Sequence, residues 1–266
     1  MQNWKLILSY DGTAYHGWQV QPGLATIQGE LRAALRRILG ETVLPQGSGR
    51  TDAGVHALGQ VASFELAAPI PAGNLLRAVN RTLPAAIRVL EAQPVSGAFH
   101  ARHSALAKTY EYRIFRGEFC SPFLARYVHA CRWKVDFEAL QQAAQEVTGE
   151  HDFVSLAATD PDLASRCEDE REEPLVRSTV RTLFSSEWAE LPGELLVYRV
   201  RGNGFLHHMV RNLVGTMLEI ARGQFPAGSM PAILAACSRS AAGPTAPAKG
   251  LFLHSVEYPA AFTWQE

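Results

Sequence analysis

Gly47-Ser48-Gly49-Arg50-Thr51-Asp52-Ala53-Gly54-Val55-His56 sets one carboxylate beside one guanidinium in a loop punctuated by glycines. Glycine takes positive φ without strain and lets a backbone approach a ligand closely, and no other window of the chain joins that freedom to adjacent opposite charges. Asp52 is therefore a candidate nucleophile. Asp and Gly are also ordinary turn formers, so an Asx-type turn is the competing reading. A nearby guanidinium such as Arg50 favours the ionised carboxylate, the form that covalent carboxylate catalysis needs. Glycosidases usually flank the bond with two carboxylates. One carboxylate and one arginine instead suit displacement at an anomeric carbon whose leaving group already accepts negative charge, as a uracil base does.

Upstream of this loop, residues 3–10 alternate as a strand and Tyr10-Asp11-Gly12-Thr13 reads as a turn. A helix follows with Thr26 as N-cap; Ile27, Leu31, Leu35, Ile38 and Leu39 share a face, Arg32, Arg36 and Arg37 occupy the rest, and Gly40 stops it. Downstream, residues 59–66 alternate as a strand with Val61 and Phe64 out of phase. A helix over 72–83 and a strand over 86–90 complete a βαβαβ-like first half. No G-x-G-x-x-G and no Gly-Lys-Ser/Thr occurs, which argues against a nucleotide cofactor.

The second half opens on Ala107-Lys108-Thr109-Tyr110-Glu111-Tyr112-Arg113-Ile114-Phe115, a strand with Tyr110, Tyr112 and Ile114 on one face and Lys108 sharing their parity. Tyr112 reads as core. Tyr110 is either core or a surface on which a base stacks, an interaction worth about 1 to 3 kcal/mol. A helix over 137–147 has Asp136 as its N-cap. The acidic run 168–173 reads as a solvated excursion. Strands over 179–188 and 195–201 lead through Gly202-Asn203-Gly204 into a helix over 205–222. Leu206, Met209, Val210, Leu213, Met217 and Ile220 make its apolar stripe, and His207, His208, Arg211 and Asn212 a polar sector. Arg211, about two turns in, with the free N–H groups of the helix start, either holds an anion or makes a surface salt bridge. A small-residue loop over 240–250 precedes a last strand over 251–258.

Composition sets the limits. A chain of 266 residues with 47% hydrophobic content buries a real core. No run approaches the roughly 18 apolar residues of a membrane span, and the start lacks the apolar stretch and cleavage site of a signal peptide, so the cytoplasm is expected. Cysteines at 120, 131, 167 and 237 form no C-x-x-C pair, which suggests neither a disulfide framework nor a zinc site. His207-His208 and His100-Ala101-Arg102-His103 are weak metal-ligand patterns, and no metal is expected. The net charge of −1 excludes a broad positive field but not a local basic groove. Lysine occurs only at 5, 108, 134 and 249, leaving arginine 21 of the 25 basic residues; that bias suits bidentate phosphate recognition and equally reflects a GC-rich genome.

Five ordered motifs resemble those of the tRNA pseudouridine synthase A family. They are Tyr10 to Gln19 (YDGTAYHGWQ), Gly49 to Ala57 (GRTDAGVHA), Lys108-Thr109-Tyr110, Gly202 to Asn212 (GNGFLHHMVRN) and Thr245 to Leu251 (TAPAKGL). The resemblance spans nearly the whole chain. It implies conversion of uridine to pseudouridine at positions 38 to 40 of the tRNA anticodon arm, without cofactor or metal. It also implies a homodimer with tRNA spanning both subunits. Asp52 matches the family's nucleophile. Tyr110 matches the tyrosine that contacts the target uracil and is a candidate for proton transfer; Arg50 matches the arginine associated with displacing the flipped base, and Arg211 a basic residue expected to pair with the aspartate. Attack at C1′, attack at C6 and a glycal route through C2′ deprotonation all begin from the same ionised carboxylate. The acidic run has no counterpart among these motifs.

The expected fold is α+β, a pseudouridine synthase fold of two similar halves, 1–105 and 106–266. Each is a mostly antiparallel sheet flanked by helices, with the active site between them. Two other functions fit the same residues: a non-catalytic tRNA-binding protein on this scaffold, and an N-glycosidase that releases the base.

Overall fold

A computed structural model of the chain describes residues 1–158 and 178–262. The acidic run 168–173 and Cys167 lie outside the described residues. The chain divides into two compact units, Met1–Ala130 with Pro247–Glu266, and Cys131–Ala246. No described helix is long and apolar enough to cross a membrane.

The first unit is built on strands β1 (Gln2–Tyr10), β2 (Gln46–Gly47), β3 (His56–Leu66), β4 (Ile87–Val95), β5 (Ala107–Phe115), β6 (His129–Ala130) and β10 (Leu251–Glu257). Their order is β4-β1-β3-β10-β5, with β2 on β3 and β6 on β5. The βαβαβ element order holds, but β1 runs antiparallel to both β3 and β4. Periodicity is blind to strand direction. Here Gln46 and Gly47 pair antiparallel with Ser63 and Ala62, so the chain runs along β3 before reversing through 48–55 to enter it.

Trp4, Leu6 and Leu8 stand opposite Phe64, Ala62 and Gln60, and all six side chains are buried. Helix α1 (Ile27–Leu39) buries Ile27, Leu31 and Leu35 and leaves Arg32, Arg36 and Arg37 exposed. Its ends are those anticipated: Thr26 Oγ1 accepts from the Gly29 N–H, and Gly40 closes the helix at φ 71°. Helix α2 (Ala72–Thr82) packs on β4 through a face that includes buried Leu75 and Val79. A second cluster joins Val61, Phe99 and Ala101 to Ile7, Val95, Val256, Tyr258 and Phe262. Val61 thus points away from Ala62 and Phe64 into a core of its own, which is why the alternation of β3 looked out of phase.

The division at 105/106 expected from sequence falls inside the first unit. Strand β5 is antiparallel to β10, and β10 is parallel to β3, so ladder hydrogen bonds tie 107–115 and the final strand to the N-terminal strands.

The second unit carries α3 (Phe137–Gln145), β7 (Gly149–Asp152), β8 (Val180–Leu191), β9 (Leu195–Gly202), α4 (Met209–Ala221) and α5 (Met230–Ala235). Its strands pair antiparallel in the order β9-β8-β7. The Asp136 carboxylate caps α3 by accepting from the N–H groups of Glu138 and Ala139, and α3 packs on α4 and β8. Each unit is thus a mostly antiparallel sheet with helices, the α+β architecture expected.

Helix α4 begins at Met209, not at Phe205. His208 has φ 58°, a left-handed conformation that ends any helix running through it, so 203–208 is a loop that shares the helix's apolar pattern. Asn212, in the polar sector, is fully buried: its Nδ2 donates to the Leu156 carbonyl at 2.8 Å and its Oδ1 accepts from Thr245 Oγ1 at 2.6 Å. Thr216 Oγ1 accepts from the Gly243 N–H at 3.0 Å. Between these bonds the helix meets the small-residue loop so closely that a Cβ on Gly215 would stand 1.7 Å from the Pro244 carbonyl oxygen.

Gly215→Ala should therefore cost about 1 to 3 kcal/mol of stability. Gly97→Ala, where nothing lies within 4 Å of the added carbon, should leave the melting temperature nearly unchanged. Thermal unfolding of the two variants beside the parent checks the contrast, and equal melting temperatures would refute the packing assigned to Gly215.

Candidate active site

The Asp52 loop links β2 to β3 and has little sheet of its own, so its backbone groups need other partners. Residues 10–18 supply them. The Trp18 N–H donates to the Thr51 carbonyl at 3.0 Å and the Gly54 N–H to the Tyr15 carbonyl at 3.2 Å, while the Val55 N–H closes a turn onto the Asp52 carbonyl at 3.1 Å. Of Gly47, Gly49 and Gly54, only Gly54 has a positive φ, 76°. The close approach comes from the facing segment: a Cβ on Gly17 would lie 2.3 Å from the Thr51 oxygen. The Tyr10–Gln19 motif is thus the cradle of the Asp52 motif.

Beneath the loop, Ser48 Oγ donates to Gln60 Oε1 at 2.7 Å, Gln60 Nε2 donates to the Gly49 carbonyl at 2.9 Å, and Lys108 Nζ donates to the Ser48 carbonyl at 2.6 Å. The hydroxyls of Tyr10 and Thr51 are 2.8 Å apart. Burial pushes the Tyr10 phenol up to about 12, against the hydrogen bonds of Thr51 and Gln60. Asp52 and Arg50 are both half-buried.

Tyr110 is buried on β5. Burial raises its phenol well above the ordinary value, and electrostatic coupling to Tyr10 and Asp52 raises it further. The phenol therefore stays protonated at neutral pH: it can donate a hydrogen bond, but it is no standing base. Asp52 and Tyr110 are thus electrostatically coupled within one unit. Tyr112 is fully buried and donates to the Pro247 carbonyl at 2.8 Å, the core role read for it.

Arg211 lies in the second unit. Because α4 starts at Met209, Arg211 is in its first turn and not two turns in. Its Nε donates to the Ala246 carbonyl at 2.8 Å, and its own carbonyl accepts from the Ala246 N–H at 3.1 Å, which fixes it to the end of the small-residue loop. The His207 and His208 rings stack with centroids 3.9 Å apart. His100 Nδ1 accepts from the N–H groups of Arg102 and His103, a local turn.

Sequence reading missed Gln60, Tyr10, Thr51 and Lys108 as a support for the loop. For Gln60 a signal existed: an amide sits at the strand parity of Ala62, Phe64 and Leu66.

His56 ends the loop and is 1% exposed. Its Nδ1 accepts from the Gly12 N–H at 3.1 Å and its Nε2 faces the Arg126 carbonyl at 3.2 Å, which together assign the neutral ring with its proton on Nε2. The ring stacks on Phe252 at 4.8 Å. Desolvation lowers its pKa and outweighs the pull of Asp11, whose Oδ1 is 3.3 Å from Nδ1. His129 is lowered as well, by burial and then by Lys249. An unfolded histidine takes up its proton near about 6.5. Below that pH the unfolded chain binds more protons than the folded one, so these residues contribute stability that declines as pH falls from about 7 toward 5. Urea unfolding across that range should show the decline, and His56→Gln should flatten it. An unaltered slope in the variant would contradict the neutral assignment.

A protein-family model described as tRNA pseudouridine synthase matches residues 6–104 and 143–259. A tRNA pseudouridine synthase A of Solibacter usitatus is 52% identical over 259 residues, covering 97% of this chain and 100% of that one. The proteins of that name from Moorella thermoacetica and Maridesulfovibrio salexigens are 44% identical over 256 residues and 43% over 262. They cover 96% and 97% of this chain, and are themselves covered to 98% and 91%.

Proposed function

The chain belongs to the tRNA pseudouridine synthase family and isomerises uridine to pseudouridine in tRNA, and we propose that it acts on positions 38 to 40 of the anticodon arm with Asp52 as nucleophile. The observation that carries this reading is a carboxylate on a loop braced by Trp18, Tyr15 and Lys108, in the same unit as the buried phenol of Tyr110. The reaction breaks the N1–C1′ bond, turns the uracil and joins C5 to C1′, with the C5 proton lost and N1 protonated. The detached base must stay bound throughout. A buried aromatic wall beside the carboxylate serves that need, since it offers a stacking face and a donor without competing as a base.

In this reading Arg50 faces the RNA and helps displace the flipped base. Extrusion costs a few kcal/mol in a duplex, and less in a loop or near a stem end. Arg211 is assigned to holding the target uridine for reaction, not to the affinity for the rest of the tRNA. Arg32, Arg36 and Arg37, exposed on α1, are assigned to phosphates. A chain of net charge −1 meets a polyanion only through local basic surface. We infer a homodimer that assembles such a surface from two copies, acting in the cytoplasm.

Asp52→Asn should abolish pseudouridine formation in a tRNA transcript while keeping tRNA affinity. Tritium release from C5-labelled uridine separates the alternatives: a binding protein releases none, and an N-glycosidase yields free uracil. Appreciable pseudouridine from Asp52→Asn would remove Asp52 from the nucleophile's role. Arg211→Lys should lower turnover far more than tRNA affinity, because an arginine held by Nε at Ala246 still carries its two terminal amino groups and a lysine has no such second set of donors; an unchanged rate would make Arg211 structural.

A further inference from the structure

We propose that Gln60 is a positioning residue for the isomerisation, its side-chain amide setting the Asp52 loop at the height and angle the chemistry uses. This rests on the reading of Asp52 as nucleophile. Gln60 lies on β3 opposite Leu8, on the face shared with Ala62, Phe64 and Leu66, and is 0% exposed. A primary amide placed there is costly unless its polar sites are filled. Three hydrogen bonds fill them. Oε1 accepts from Ser48 Oγ at 2.7 Å and from the Val61 N–H at 3.1 Å. Nε2 donates to the Gly49 carbonyl at 2.9 Å.

The Val61 N–H and the Gly49 carbonyl also decide which end of the amide is which, so the group cannot flip without losing both bonds. Two of the three partners, Ser48 and Gly49, belong to the Asp52 loop on its N-terminal side. Tyr10 separately holds Thr51, the neighbour of Asp52, at 2.8 Å. Gln60 thus fixes the loop just before Arg50. Packing alone would accept an apolar side chain of this size at this position; what the amide adds is the bracing of the loop.

Gln60→Glu keeps the volume and removes both N–H donors. Burial raises the pKa of the new carboxyl, so at lower pH its O–H again donates to Gly49. Single-turnover pseudouridine formation at saturating enzyme should fall about 10- to 100-fold at pH 8 and recover part of that loss, relative to the parent at the same pH, toward pH 6. The Kd for tRNA should stay within about threefold. Ser48→Ala, which removes the hydroxyl that donates to Gln60 Oε1, should lower the single-turnover rate severalfold at unchanged Kd, and it decides the question alone if Gln60→Glu does not fold. A parental rate in either folded variant, a loss seen only in Kd, or a loss in Gln60→Glu equal at all pH values would overturn the proposal. Asp52→Asn measured alongside keeps the two readings apart. If it is inactive, a failure at Gln60 is that residue's own; if it is active, the Asp52 reading fails and the Gln60 proposal with it.

Discussion

The carbonyl of Thr51 and the N–H of Gly54 are bonded not to the sheet but to Trp18 and Tyr15, and the rest of the candidate site depends on that exchange. A turn between two strands is normally left to solvent, and each residue that must be ordered costs about 1 to 2 kcal/mol of backbone entropy. Here folding has already met that cost. Main-chain bonds from 15–18 hold the loop from one side, and Gln60, Tyr10 and Lys108 hold it from beneath. A carboxylate whose loop is fixed before substrate arrives needs no ordering at the moment of reaction, the condition under which positioning lowers a barrier.

Three titratable groups buried in this frame share one property. Tyr10 and Tyr110 are pushed up and His56 is pushed down, so burial holds all three neutral near pH 7. Phenols held protonated in this way can donate hydrogen bonds without acting as standing bases. The same burial makes the acid side of the stability profile sensitive to His56, which links the chemistry of the loop to the endurance of the fold.

In the second unit the comparable device is the contact of α4 with the loop 243–246. Asn212, Thr216 and Gly215 bring the helix onto that loop, and Arg211 is bonded to Ala246 through both its side chain and its backbone. The chain then passes directly into the first unit, through Pro247 and Lys249 to β10. A small-residue stretch that looks like a linker in composition is a packing surface, since only residues as slight as Gly215 and Gly243 let two backbones come so near.

Much was legible before any coordinates. Thr26, Gly40 and Asp136 marked helix ends because caps are local: the partner lies within one turn. The period of Ala107–Phe115 marked a strand, and the Arg50–Asp52 loop stood out by residue type alone. The return of β10 to the first unit and the start of α4 at Met209 were not legible, because the first is decided by partners distant in sequence and the second by one backbone angle. Gln60 is the sharpest case. Sequence alone determined that this chain carries a pseudouridine synthase's motifs in order, since those depend on residue identity. Only the tertiary structure decided that an amide on β3 braces the Asp52 loop, because its hydrogen bonds close across to residues 48 and 49 as well as 61.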